Sequence, residues 1–291
     1  MQVAFHLGAP CTDDDMLLAA LNKNTAELAA LGIAIPEAGQ FRTVLRDTMR
    51  ALKGKAASRE ITEALLDAIL GAGTPKRLVL SDPRLVSINR LVAQGAQFWP
   101  AIERQTDNMR ALFPEAEIEF FIALRDPSTL LPALFRASRY DDFNEFAADI
   151  QPEALRWSEM LQRLRAAQPD AQLTVWANED TPLIWGDVMR ALAGLPPDTR
   201  LKGESDLVAS LLDKSVAAQM ELYLMTNPPQ STAHLRRIHL AFLERYAKED
   251  LMVEACTIPD WDQTLLDRMS AAYEADLLSV AQIEGVRMIA P

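Results

Sequence analysis

Short, almost uninterrupted apolar runs alternate along this chain with longer segments of helical period, and this alternation restricts the possible folds more than any other feature. Runs of strand character cover residues 3–7, 77–81, 117–124, 172–178 and, more weakly, 286–290. The middle runs do not alternate polar and apolar residues, which is typical of strands covered by helices on both faces. The sequence therefore predicts a three-layer α/β fold with a parallel sheet of about five strands and right-handed crossovers.

Helical segments lie between the predicted strands. Leucines recur at helical spacings through residues 17–31, which predicts one helix that ends at Gly32, and a second amphipathic helix over 61–70 ends at Gly71. Further helices are predicted around residues 155–164 and 183–192. From about residue 204 the sequence favours helices until the last strand. We therefore expect a single domain over residues 1–291, with residues 204–285 mainly helical.

Several oxygen-bearing side chains stand where helices are predicted to begin. Such side chains accept hydrogen bonds from the free N–H groups of a first turn, and proline is favoured at the first helical position. Either Thr12 or Asp13 is predicted to cap a helix that starts near Met16. Carboxylates in that first turn also interact favourably with the helix dipole, so they occupy the end of the helix that an anion would use. Further caps are predicted at Asp126, Thr181 and Asp260.

Composition argues against several classes of partner. The formal net charge of −12 repels nucleic acid and anionic membranes unless basic residues are locally concentrated, and no such cluster stands out in the sequence. No apolar stretch approaches the roughly 20 residues of a membrane span, and no basic segment precedes the first strand as in a signal peptide. Cys11 and Cys256 are too few and too far apart for a disulfide framework. These features predict a cytoplasmic protein that binds neither nucleic acid nor membranes.

Metal binding is not the favoured interpretation of the polar residues. His6 falls in the first strand and is predicted to be a buried, hydrogen-bonded structural residue, with a catalytic base as the less favoured alternative. His234 and His239 are five residues apart and do not share a helix face as metal ligands would. The run 13–15, with Asp82 or Glu179, could hold Mg²⁺ or Ca²⁺, but neighbouring helical positions diverge, so solvated capping is favoured. Packing within the core is likewise favoured over a ligand cage for Trp157, Trp176 and Trp185.

The first forty residues contain a long ordered series of matches to a known family. The matching residues are His6, Leu7, Gly8, Pro10, Thr12, Leu21, Asn24, Leu28, Gly32, Ile33, Pro36 and Gly39. In order and spacing this series resembles the bacterial sulfotransferase-like branch of the P-loop fold. Residues 77–83 and 120–135 are similar to that family's second strand and to its strand–Arg–x–Pro–helix segment. The resemblance covers about the first half of the chain, with fainter similarity over 174–194, and it implies P-loop topology with a helical C-terminal extension.

The resemblance implies a site for the sulfate donor 3′-phosphoadenosine 5′-phosphosulfate. Its 5′-phosphosulfate would lie in the loop of residues 8–15, and Arg125 would contact its 3′-phosphate. The family's loop lysine is replaced by Cys11, and the serine eight residues beyond the arginine by Ala133. The loop glycine and the two loop hydroxyl residues are replaced by the aspartates of 13–15. The implied donor-binding residues are Gly8, Ala9, Pro10, Cys11, Thr12, Asp13 and Arg125.

Two functions follow from this comparison. In the favoured one, the chain is a sulfotransferase-like protein that has lost or strongly altered donor binding, needs no cofactor, and acts as a non-catalytic homologue that binds a small molecule or a protein. In the alternative, it is an active sulfotransferase with a rearranged donor site and an unknown acceptor. The replaced lysine and added carboxylates favour the first, because sulfuryl transfer depends on positive groups around the donor. No catalytic residue is assigned in either case.

Overall fold

A parallel sheet forms the centre of the molecule. The computed structural model describes residues 1–13, 15–71, 73–247, 258 and 261–291. The sheet has six strands in the order β2-β3-β1-β6-β7-β8, and every neighbouring pair is parallel. A separate antiparallel hairpin is formed by β4 and β5. The strands are β1 (Gln2–Gly8), β2 (Ile33–Ala34), β3 (Arg77–Ser81), β4 (Ala93–Gln94), β5 (Gln97–Phe98), β6 (Glu117–Leu124), β7 (Gln172–Ala177) and β8 (Val286–Ile289).

Helices cover both faces of the sheet, as expected of a parallel sheet whose strands are joined by crossovers. Short 3₁₀ turns at Asn89–Leu91, Pro152–Ala154 and Asn178–Asp180 complete the connections. The helices are α1 (Met16–Asn22), α2 (Thr25–Ala30), α3 (Ala38–Leu52), α4 (Arg59–Leu70), α5 (Ile102–Leu112), α6 (Pro127–Arg136), α7 (Phe143–Ala147), α8 (Trp157–Ala167), α9 (Thr181–Ala193), α10 (Asp206–Ser210), α11 (Lys214–Thr226), α12 (Thr232–Tyr246) and α13 (Gln263–Val280).

The alternating side chains of β1 divide the core into two layers. Val3, Phe5 and Leu7 face a large layer formed with α3, α4, α5, α6, α8 and α13. Ala4 faces a smaller layer formed with α1, α2 and α9. Because β1 is covered on both faces and flanked by β3 and β6, its carboxyl end lies at the centre of one edge of the sheet. In open parallel sheets, that edge is where ligands bind.

The five predicted strands are confirmed, and the α/β class with them. The sixth strand, Ile33–Ala34, was missed because two residues are too few for a periodic signal. The hairpin of β4 and β5 was missed for the same reason. Within the described part of the chain, no helix combines the length and apolar character needed to cross a bilayer.

The helix predicted over residues 17–31 is two helices, so that prediction was wrong in its extent. α1 ends at Asn22 and α2 begins at Thr25. Between them the buried Asn24 amide donates to the Ala20 carbonyl (3.2 Å) and to the Lys202 carbonyl (3.0 Å), and its oxygen accepts from the Lys202 N–H (2.8 Å). Asparagine competes with helical hydrogen bonding in this way, and here it ties the break to the segment before α10.

The outcome for the predicted caps differs from site to site. Asp126 is confirmed as a cap, because its Oδ1 accepts from the Ser128 N–H at 2.8 Å and Pro127 is the first helical residue. The prediction that Thr181 caps a helix was wrong. Thr181 is the first residue of α9, and Asp180 precedes it without a side-chain cap bond. Asp260 lies outside the described residues, whereas Asp262 caps α13 by accepting from the Leu265 N–H at 2.8 Å.

Candidate functional site

The loop that follows β1 turns sharply beneath the carboxyl edge of the sheet. Gly8 has a φ of 83°, and a Cβ added there would lie 3.0 Å from the Pro83 Cβ, so only glycine fits this close approach without strain. The Ala9 N–H then donates to the Ala123 carbonyl of β6 at 3.2 Å. The start of the loop is thus held between β3 and β6.

Side chains of the loop are used mainly to fold it. The Thr12 hydroxyl donates to the Ala9 carbonyl at 2.6 Å. The Asp13 carboxylate accepts from the Leu17 N–H at 3.1 Å, and the Asp13 carbonyl accepts from the Met16 N–H at 2.8 Å. Asp13 therefore supplies the cap at the start of α1, and Thr12, the alternative candidate, does not. Asp14 lies outside the described residues.

Two loop residues adopt backbone conformations that side chains disfavour. Cys11 has a φ of 61° and Asp15 a φ of 64°, both in the left-handed region. Aspartate tolerates this region better than most residues, and Asp15 precedes α1 without making a side-chain cap bond. The helix it precedes has seven residues, so its dipole is short. Strained loop residues of this kind cluster at binding sites, although strain alone does not identify a ligand.

Arg125 is the one predicted donor-binding side chain from outside the loop, and the structure brings it to the loop. Its Nη1 donates to the carbonyl oxygen of Cys11, and its Nε donates to the Thr129 hydroxyl at 3.0 Å. The side chain is buried, with 8% of its surface exposed. Its own carbonyl accepts from the indole N–H of Trp157 at 2.9 Å. Arg125 therefore joins the loop to the start of α6.

His6 lies beneath the loop in β1, and it is buried and hydrogen-bonded as predicted. Its Nδ1 shares a hydrogen bond with the Ser81 hydroxyl at 2.8 Å, and its ring stacks on Trp176 with centroids 5.8 Å apart. Burial lowers the pKa of His6, while the charges of Asp13 and Asp15 act in the opposite direction. Nε2 is buried without a partner among the described residues. The ring is enclosed and its charged form is disfavoured by burial, which suits a structural residue better than a base at the loop mouth.

Beside Arg125, two acids (Asp126 and Glu179) and two hydroxyl groups of α13 (Ser270 and Tyr273) meet at the carboxyl ends of β6 and β7. Glu179 accepts from the Asp126 N–H at 3.0 Å and from the Tyr273 hydroxyl at 2.8 Å. The Ser270 hydroxyl donates to Asp126 at 2.5 Å. Partial desolvation of the carboxylate raises the pKa of Glu179, and the charge of Asp126 adds to this effect. The pKa of Tyr273 is raised by burial and by Glu179. These groups hydrogen-bond to one another and thereby hold α13 against the carboxyl edge of the sheet.

Asp82, at the end of β3, is fully buried and pairs with arginines. Arg42 of α3 donates from Nε to its Oδ2, and the Arg84 Nε lies 3.7 Å from its Oδ1. The same Oδ1 accepts from the Arg84 N–H at 3.0 Å. Asp82 therefore neutralises arginines beside the loop instead of joining the aspartates of 13–15 in a cation site. Among the described residues, no cluster of histidine, cysteine, aspartate and glutamate could hold a metal ion.

The three tryptophans that were predicted to pack within the core are buried there. Trp157 is buried in the layer with α8, and Trp176 and Trp185 are buried in the layer with α9. Because they lie on opposite faces of the sheet, they do not line one cleft.

Several residues at this edge were not predicted. Ser270 and Tyr273 come from α13, more than ninety residues after the acids that they contact. A cluster of arginines beside Asp82 also went unrecognised, since its members come from separated segments. The spacing of Arg42 and Arg46, one helical turn apart on α3, is the only local sign of it.

Comparison with protein-family models and with curated proteins gives no match to this chain.

Proposed function

We propose that this chain is a sulfotransferase-like binding protein that does not use 3′-phosphoadenosine 5′-phosphosulfate and does not transfer a sulfuryl group. The resemblance of the first forty residues supports the comparison with that family. So does a central first strand followed by a tight glycine turn and a helix. These features concern architecture, and architecture alone does not fix an activity.

The observation that carries the proposal is the bond between Arg125 and the loop. A guanidinium that contacts a donor phosphate has to present its N–H groups to the ligand. Here Nη1 donates to the Cys11 carbonyl and Nε to Thr129. A donor phosphate would compete with the loop carbonyl for Arg125, and displacing that partly buried carbonyl would leave it without this partner.

The negative charge of the loop also disfavours donor binding. Asp13 and Asp15 lie close enough to the end of β1 to affect the titration of His6. At an effective dielectric constant of about 20, two like charges at 4 Å repel by roughly 4 kcal/mol. The lysine that would offset this repulsion is replaced by Cys11. A phosphosulfate entering the loop would meet these carboxylates without the family's lysine to offset them.

Ligand-induced stabilisation tests the proposal. Adenosine 3′,5′-bisphosphate, the product that shares the donor's phosphates, should leave the melting temperature unchanged even at millimolar concentration, because a ligand that does not bind the folded state does not stabilise it. Saturable stabilisation of the unaltered protein would instead support the alternative, an active sulfotransferase with a rearranged donor site.

A variant that restores the family's loop residues provides a gain-of-binding test. Cys11→Lys with Asp13→Gly and Asp14→Thr should create measurable bisphosphate affinity by calorimetry, since it adds a cation and removes two carboxylates. Asp141→Asn with Glu145→Gln and Glu221→Gln is the matched control, because it changes net charge equally through exposed carboxylates of other elements. If the restored loop binds no better than the control, the family comparison itself is wrong.

A further inference from the structure

A cavity of about 520 Å³ opens beside the loop, next to the carboxyl end of β3. Its walls are α3, the segment from Arg84 to Leu91, and the segment from Trp99 to the start of α5. The volume lies within the range of small-molecule sites in proteins. The cavity is joined to the loop region through Pro83, against which Gly8 packs, and through the Arg42–Asp82 pair.

The charged residues that line this cavity are all arginines. They are Arg42, Arg46, Arg84 and Arg104, and no acidic side chain is among the lining residues. Asp82 is shared between Arg42 and Arg84, and Arg46 pairs with the exposed Asp47 at 3.3 Å. Arg104 has no ion-pair partner within the described ranges. Only two carboxylates, Asp82 and Asp47, pair with these four arginines. The cavity therefore has an excess of positive charge in a chain whose net charge is −12.

The rest of the wall is apolar. Leu85 and Val86 are buried in it, whereas Ile88 and Leu91 on its rim are 63% and 48% exposed. Large apolar side chains exposed beside a cavity are typical of a surface that a ligand or partner covers. The cavity therefore offers apolar contact and positive charge together.

The wall of the cavity contains a strained residue, Trp99. Its φ of 41° is unfavourable for a bulky residue, more so because Pro100 follows it. The conformation is held by Arg163, which donates to the carbonyls of Phe98 (2.6 Å) and Trp99 (3.3 Å). The buried Trp99 indole N–H and the buried Ser87 hydroxyl, on two residues of the lining, have no partner within the described part of the chain. Backbone strain and unpaired polar groups of this kind concentrate at functional sites.

We propose that this cavity binds a small amphipathic organic anion, whose charged head pairs with the arginines and whose apolar body lies along Leu85, Val86 and the rim residues. Guanidinium groups bind carboxylate, sulfate and phosphate oxygens through paired, charge-assisted hydrogen bonds, so the head belongs to one of these classes. The cavity uses residues other than the loop, and the inference does not depend on the proposed function.

Calorimetry with matched probes tests both halves of the ligand. Decanoate and decyl sulfate, kept below their micelle concentrations at low ionic strength, should bind saturably. Decanol, which lacks the charge, and inorganic sulfate, which lacks the apolar body, should each bind at least tenfold more weakly. Equal affinity for decanol would overturn the role of the arginines, and equal affinity for sulfate would overturn the role of the apolar wall. The relative affinities of the two anionic probes report which head is preferred.

Variants locate the binding in this cavity. Arg46→Gln with Arg104→Gln should weaken decanoate binding about tenfold without loss of stability, because neither arginine neutralises a buried carboxylate. Arg50→Gln with Arg139→Gln is the charge-matched control: Arg50 is on the same helix and pairs with the same Asp47, Arg139 is exposed, and neither lines the cavity. Ile88→Ser should also lose affinity, whereas Leu222→Ser, a similarly exposed position on α11, should not. Equal binding by the arginine variant and its control would refute the proposal.

Discussion

At the scale of single residues, burial decides which groups can titrate. His239 lies on α12 with 3% of its surface exposed, and its Nε2 shares a hydrogen bond with the Ser205 hydroxyl at 2.9 Å. Burial, with a smaller contribution from the charge of Arg200, lowers the pKa of His239 from 6.5 to about 4. The folded protein therefore holds this ring neutral at pH values where the unfolded chain protonates it.

This difference predicts a loss of stability in mild acid. Between pH 6.5 and about 4 the unfolded state binds a proton at His239 that the folded state does not, so the free energy of unfolding falls as the pH falls through this window, by up to about 3 kcal/mol. His239→Gln keeps a partner for Ser205 but does not titrate. Urea unfolding at about pH 7 and pH 4.5 should show a smaller loss in this variant than in the unaltered protein.

His234→Gln is the control for that measurement, since it removes the other histidine of α12. It should not reproduce the effect of His239→Gln, because the His234 side chain is partly exposed. A residual slope is expected in every variant, because burial also lowers the pKa of His6. If His239→Gln and His234→Gln lose stability equally between the two pH values, His239 is not the group responsible.

At the scale of elements, α8 depends on a cap from a distant helix. Arg156 precedes it without making a side-chain cap bond. Instead Asp276 of α13 accepts from the Trp157 N–H (2.6 Å) and the Ser158 N–H (3.2 Å), and the Ser158 hydroxyl also donates to it. The carboxylate and Trp157 are buried, so water cannot readily replace the carboxylate at the Trp157 N–H.

Removing this cap should cost more than removing an ordinary one. Asp276→Ala leaves three donors unpaired in a buried place and should lower the free energy of unfolding by about 2 to 4 kcal/mol. Asp262→Ala removes the exposed cap of α13 itself and should cost about 1 kcal/mol. Urea unfolding of both variants compares the two. Equal losses would show that Asp276 acts as a simple surface cap.

How far the sequence predicts these elements depends on where their partners lie. Apolar runs identified β1, β3, β6 and β7, because burial on both faces leaves a local signal. β8, which contains the exposed Arg287, left only a weak one. The break at Asn24 depends on Lys202 and the cap of α8 on Asp276, and neither partner is near in sequence. Within the site, the loop could be located from its glycine and spacing. The bond from Arg125 to a loop carbonyl could not, since it reflects backbone position and not residue type.

At the scale of the whole molecule, the carboxyl edge of the sheet and the opposite edge, at the amino ends of the strands, carry different kinds of groups. The carboxyl edge holds the loop, the Asp126–Glu179 cluster and the arginine-lined cavity. Toward the other edge, Arg77 of β3 reaches across β1 to Glu119 of β6 through two bonds of 2.9 and 2.7 Å. It also donates to the Leu192 carbonyl of α9 at 2.9 Å and to the Gln2 side chain at 3.0 Å. This network joins three strands and a helix near the amino ends of the strands, away from the loop of residues 8–15.

We therefore expect the Arg77–Glu119 pair to affect stability and not binding. Arg77→Met leaves a buried carboxylate unpaired and should lower the free energy of unfolding by about 3 to 5 kcal/mol. Arg77→Met with Glu119→Leu removes both charges and should recover most of that loss; the recovery is incomplete because Leu192 and Gln2 still lack their partner. Urea unfolding of the single and double variants measures the recovery. Decanoate affinity of the folded double variant should equal that of the unaltered protein, because the cavity lies at the opposite edge; a tenfold change would show that the two edges are coupled.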